Sequence, residues 1–169
     1  MKPIRSVVVT ALLTLFAFSA VTYTACHKDK CVNVQCLNMG TCDNGNCSCP
    51  TGYEGSRCET LSRDKFLGTY NGHDLCSVND TNQYHQYPVT FIANLAKPGE
   101  FVMKNFIENP DDSAACTVQT TDSFTFQGSN NGTTYSGTGT LRNDSLKMNY
   151  RIQMDTTSYT CKYVGGGLW

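Results

Sequence analysis

Six cysteines packed into one short stretch constrain this chain more than any other feature. Cys31, Cys36, Cys42, Cys47, Cys49 and Cys58 are separated by four, five, four, one and eight residues. Such density means a disulfide framework or a metal cluster. Zinc-type sites draw ligands from close pairs separated by longer loops. Here only Cys47 and Cys49 are close, and the stretch contains no histidine, so spacing favours disulfides without choosing the pairing. A segment of this size buries too little apolar surface to fold unaided. Cross-links must supply the difference, about 3 kcal/mol for each loop of ~15 residues. Asp43-Asn44-Gly45-Asn46 reads as a hairpin turn, because Asn-Gly tolerates two positive φ angles. Gly52 and Gly55 let the backbone turn around Tyr53, the large apolar anchor of the segment.

The six spacings, Asn38-Met39-Gly40-Thr41-Cys42 and the closing run Cys49-Pro50-Thr51-Gly52-Tyr53-Glu54-Gly55-Ser56-Arg57-Cys58 together resemble an EGF-like module. The resemblance covers about a sixth of the chain. It implies the pairs Cys31–Cys42, Cys36–Cys47 and Cys49–Cys58. Calcium-binding members of that family carry acidic and amide ligands before the first cysteine. This chain has the net basic run His27-Lys28-Asp29-Lys30 there, a poor set of hard oxygen ligands. A module without metal is expected.

Residues 1–25 read as a signal peptide. Lys2 and Arg5 give a positive start, and the apolar run 7–21 is too short and too interrupted by Thr10, Thr14 and Ser19 to span a bilayer. Tyr23-Thr24-Ala25-Cys26 resembles a bacterial lipobox, with Tyr23 where an aliphatic residue is usual. That resemblance implies acylation of Cys26, a tether over 26–30 and a lipoprotein at the outer membrane or cell surface. Cleavage after Ser19 and plain secretion is the alternative. Export also suits the disulfides.

After a linker at 59–63, residues 64–169 read as one all-β domain. Charged residues are only 16% of the chain, against about a quarter in ordinary globular domains. Turn residues recur throughout, and no stretch shows a helical period. The clearest strand is 145–154, where Leu146, Met148, Tyr150, Ile152 and Met154 alternate with polar residues. Phe66, Gly68, Tyr70 and Gly72 mark a first strand, and Tyr87, Val89 and Phe91 a second. Phe101, Met103 and Ile107 mark a third, and Phe124 with Phe126 a later one. Tyr135, Gly137, Gly139 and Leu141 share a face, and Tyr159, Cys161 and Tyr163 close the series. The expected architecture is an antiparallel up-and-down β-barrel of seven or eight strands, with a β-sandwich as the alternative. Phe66-Leu67-Gly68-Thr69-Tyr70 resembles the opening Gly-x-Trp of lipocalins, with Tyr70 in the tryptophan's place. In a closed meander the first and last strands are neighbours, so Cys76, placed just after the first strand, is expected to bridge to Cys161. Cys76–Cys116 is the rival pairing.

Chemistry is sparse. His73 and His85 lie near Cys76, but no second close pair of metal ligands accompanies them. No serine-hydrolase elbow, zinc-protease helix or phosphate-cradling loop occurs. Asp74, Asp111 and Asp112 fall in turn-like stretches and are expected in solvated loops. From Asp64 onward seven Lys/Arg face ten Asp/Glu, a net of −3, which disfavours nucleic acid. The sequence therefore points to a non-enzymatic exported protein without cofactor, anchored through Cys26. Its expected partner is a protein, a glycan or a small apolar ligand, the last carried inside the barrel.

Overall fold

The structure, a computed structural model, describes residues 29–78 and 81–167. The signal segment, Cys26 and Trp169 lie outside the described residues. The cysteine-dense segment forms two small hairpins. In the first, β1 (Thr41–Asp43) pairs with β2 (Asn46–Ser48). They are joined by Asn44 and Gly45 at φ 51° and 90°, both in the left-handed region such a turn demands. In the second, β3 (Tyr53–Glu54) pairs with β4 (Thr60–Leu61). Disulfides join Cys31 to Cys42, Cys36 to Cys47 and Cys49 to Cys58. Within 31–61 only Gly52 and Cys58 are buried. With so little core, the cross-links hold this segment together.

The stretch 59–63 carries β4 and then two buried side chains, Ser62 and Arg63. Arg63 Nη1 donates to the carbonyls of Asn94 and Lys97, at 2.6 and 2.5 Å. The chain therefore runs without slack into the larger domain.

A 3-10 turn at Asp64–Phe66 precedes eight strands: β5 (Gly68–Val78), β6 (Thr81–Ala93), β7 (Glu100–Lys104), β8 (Ser113–Val118), β9 (Ser123–Asn130), β10 (Thr133–Arg142), β11 (Ser145–Met154) and β12 (Thr157–Gly167). Each pairs antiparallel with the next, and β12 returns to β5, so the sheet closes into an up-and-down barrel. Closure removes the sandwich alternative and satisfies the sheet edges. The hairpins β9–β10 and β11–β10 turn on Asn131-Gly132 and Asn143-Asp144, all four residues at positive φ.

Three strand readings need correction. Phe66 is not in the first strand; it ends the 3-10 turn and is fully buried. Ile107 lies beyond β7 in a second 3-10 turn, Phe106–Glu108, because Asn105 and Ile107 adopt φ 57° and end the extended run. The strand Ser113–Val118 escaped the apolar alternation because its inward residues, Ala114 and Cys116, are small.

The interior is filled by side chains. Phe66 stacks on Phe101, with centroids 5.4 Å apart, and meets Phe124 edge-on at 5.3 Å. Phe91 joins both rings, so the end of the barrel where β5 begins is plugged. From the opposite end Phe106 enters between Phe126, Tyr135 and Tyr150. Each such ring contributes about 1.5–3 kcal/mol on burial. Glycines make room for them. Gly139 lies across from Phe124 in the ladder, and Gly128 across from Tyr135. A Cβ at either would sit 2.1 or 2.2 Å from the facing ring. The glycines that cannot fill a core are the reason such large side chains fit it.

Cys76 lies within β5, which continues to Val78, and it faces Cys161 directly in the ladder. Their Cα atoms are 4.1 Å apart and the sulfurs are bonded. The bridge spans the seam between first and last barrel strands. Cys116 is a buried free thiol, which removes the Cys76–Cys116 pairing.

Candidate functional site

Among the described residues, two places concentrate polar chemistry. The first is inside the barrel. On β5 the even-numbered residues face inward, so Asp74 follows Tyr70 and Gly72 into the core and is 1% exposed. The solvated loop expected for Asp74 is incorrect, and Asp112, 7% exposed, is buried too, where it accepts a hydrogen bond from Asn130 Nδ2. Period-two counting from Tyr70 was the signal that could have placed Asp74. Its Oδ2 accepts from Tyr87 Oη at 3.0 Å and from Tyr150 Oη at 2.5 Å. Its Oδ1 is buried without a hydrogen bond. Tyr163 closes the cluster, its hydroxyl pointing at the carbonyls of Tyr70 and Tyr87 at 2.8 and 3.1 Å. Burial pushes the phenols of Tyr87, Tyr150 and Tyr163 well above the usual value, and Asp74 adds to the rise in each. Three phenols held neutral around one carboxyl group make a hydrogen-bonded knot, not a proton-transfer site near neutral pH.

The two histidines do not converge. The β5–β6 ladder sets His73 opposite Gln86 and His85 opposite Asp74. In adjacent register pairs, their side chains leave the sheet on opposite faces. Among the described residues no group of three or more His, Cys, Asp or Glu is placed to hold a metal ion. Burial raises the Cys116 thiol to about 12, which leaves it a poor nucleophile.

The second place is the junction between the cysteine-rich module and the barrel. Gly52, at φ 92°, lies so close to Pro98 and Gly99 that a Cβ there would come within 2.6 Å of the Gly99 nitrogen. Lys65 Nζ reaches Glu54 Oε2 at 2.5 Å, and Ser62 N donates to Gly52 O at 2.9 Å. Beside this contact runs a groove of about 300 Å³. One wall comes from residues 49–54 and Ser62, the other from residues 118–121 after β8. Ser62 is 7% exposed, and its Oγ has no hydrogen-bond partner. Nothing in the sequence marked this groove, because its walls meet only through the docking of one folded unit on the other.

The barrel's outer surface over β8, β9 and β10 is polar, with a charged side chain, Arg142, at the end of β10. It carries Thr117, Thr125, Gln127, Thr134 and Ser136, all exposed. A shallow depression of about 430 Å³ lies on it, and another of about 330 Å³ extends from it to the ion pair of Lys97 and Glu100.

No family model matches the chain, and no curated protein matches it. A crystal structure of a structural genomics protein of unknown function from Bacteroides ovatus is similar over 59% of this chain, at 12% identity and a TM-score of 0.41. The likeness spans 41% of that protein's length.

Proposed function

We propose that this is a non-enzymatic, exported, membrane-anchored surface protein in which an EGF-like module presents a small β-barrel for binding. One observation carries the reading: the barrel interior is occupied by its own side chains, from Phe66 at one end to Phe106 and the Asp74 cluster deeper in. The outer faces and the junction are then the surfaces a partner can reach. The alternative, a carrier of an apolar ligand, needs interior space that these rings already occupy. The first-to-third, second-to-fourth and fifth-to-sixth disulfide order supports the EGF-like reading. Four disulfides suit an oxidising compartment. Acyl chains on Cys26 gain about 0.8 kcal/mol per buried methylene, and more than one chain makes the anchor durable.

Two measurements test this. Mass spectrometry of the mature terminus should find acylated Cys26, and labelling of intact cells should reach the barrel. Titration with a fluorescent fatty acid should give no saturable binding. An unmodified terminus with tight fatty-acid binding refutes the proposal and favours the secreted carrier.

A further inference from the structure

We propose that the tip of the cysteine-rich module lies in the surface of the lipid bilayer that anchors the chain, with Val32 and Met39 inserted among the headgroups. The inference rests on the reading that Cys26 is acylated, and it names a contact that follows from that reading. Eight large apolar side chains stand exposed among the described residues, and three of them, Val32, Leu37 and Met39, fall at the start of the module. Val32 is 73% exposed and Met39 90%. The barrel docks elsewhere on the module, through Gly52 and Glu54. Val32 is six residues from Cys26, so it is held within about 20 Å of the acyl group's attachment point. Met39 is close as well. The Cys31–Cys42 bridge, with its Cα atoms 5.9 Å apart, keeps Met39 within about 20 Å of Val32.

The tip carries its own hydrogen bonds. Gly40 N donates to Leu37 O, Leu37 N to Arg57 O and Asn38 Nδ2 to Cys58 O, each at 2.8 Å. Polar groups already paired inside a turn cost less when water is withdrawn from it. Asn38 and Met39 sit at φ 49° and 63°, in the left-handed region that a long apolar side chain rarely occupies. At its exposure Met39 gains little packing within the chain for that conformation. Charge leaves the decision to apolar contact. From His27 to Cys58, Lys28, Lys30 and Arg57 balance Asp29, Asp43 and Glu54, so a bilayer neither draws nor repels the module through net charge. Apolar faces at a bilayer surface settle ~5–10 Å into the headgroup boundary. The tether also keeps that surface at high effective concentration, whereas a soluble partner must be met by diffusion.

The experiment uses the oxidised chain from Cys26 onward, coupled through Cys26 to one myristoyl chain, which alone gives marginal, reversible binding. Cys116 is buried and does not compete for the reagent. Phosphatidylcholine vesicles are the probe, with and without phosphatidylglycerol. Trp169, the one native tryptophan, is replaced by Phe. A reporter is then placed by Met39→Trp or, in the β11–β12 turn at the barrel end away from the module, by Thr156→Trp. The expected result is blue-shifted emission, quenched by brominated acyl chains, for Met39→Trp and neither change for Thr156→Trp. Val32→Ser and Met39→Asn, the latter suited to a left-handed position, should each weaken vesicle binding about tenfold, the size of one apolar side chain returned to water. Their circular dichroism should match that of the parent chain. The proposal is overturned by an unquenched Met39→Trp, by equal quenching at both positions, by binding that requires phosphatidylglycerol, or by self-association in solution that Met39→Asn abolishes. Mass spectrometry of the exported protein judges the anchor separately: an acylated Cys26 with an unquenched tip sinks this inference alone, and a quenched tip with an unmodified Cys26 sinks the anchor alone.

Discussion

The hydrogen-bonded knot around Asp74 gives the sharpest test of how this barrel is stabilised. Tyr150→Phe keeps the ring that packs on Phe106 and deletes the hydroxyl that donates to Asp74 Oδ2 at 2.5 Å. Asp74 is 1% exposed and its Oδ1 already lacks a donor, so water does not replace the loss. The expected cost is about 1–3 kcal/mol, that of a buried acceptor deprived of a donor. Tyr87→Phe removes the companion bond of 3.0 Å at a similar cost. Both bonds end on the same oxygen, so the double variant should lose more than the sum, with a coupling of about 0.5–3 kcal/mol. The decisive step is then Asp74→Leu in the double variant. Replacing every member of a buried polar group by apolar ones is near neutral or stabilising, so stability should recover. Urea unfolding of the oxidised protein, followed by circular dichroism, reads all four. A Tyr150→Phe cost under about 0.5 kcal/mol, or further destabilisation on adding Asp74→Leu, would refute the argument.

Alkali should unfold the barrel through its buried tyrosines. In the unfolded chain a phenol loses its proton near about 10, while Tyr87, Tyr150 and Tyr163 are raised above that by burial and keep theirs. Above pH ~10 the native state therefore binds more protons, and stability falls by about 1.4 kcal/mol per pH unit for each tyrosine. Tyr163→Phe should reduce the measured slope by one tyrosine's share. Removing the seam bridge by Cys76→Ala with Cys161→Ala should cost about 4.6 kcal/mol for a sequence separation of 85 residues, read as a lower urea midpoint. Cys116, buried and pushed up to about 12, should resist a thiol reagent at pH 8 and react only as fast as the protein opens. Prompt labelling of the native protein would contradict its placement.

The elements legible in the sequence are those whose side chains alternate strongly. In β11, Leu146, Met148, Tyr150 and Ile152 are buried as the pattern requires, although Met154 is 41% exposed at the strand's end. The Asn44-Gly45 turn was legible because few other residues tolerate two positive φ angles. β8 was not, since Ala114 and Cys116 give a weak apolar signal. Phe66 was misplaced because an aromatic beside Gly68 and Tyr70 continues the period of two, and only its tertiary docking against Phe101 decides that the backbone coils. Asp74 was misread because a carboxylate carries a strong prior for solvent. Its parity with Tyr70 was the better guide. The junction groove was beyond reach from sequence, because Ser62 and Thr121 are brought together by docking and not by spacing.

The seam bridge also decides how the barrel fails when its backbone is cut. Cys76 and Cys161 enclose almost every hairpin of the meander within one covalent ring. A protease that clips the chain once at an exposed turn inside that ring, such as Asn143-Asp144 or Asn131-Gly132, opens the ring without releasing a fragment. Both pieces stay attached to the module and to whatever holds the amino terminus. In the oxidised protein, one nick is then a scar and not a loss.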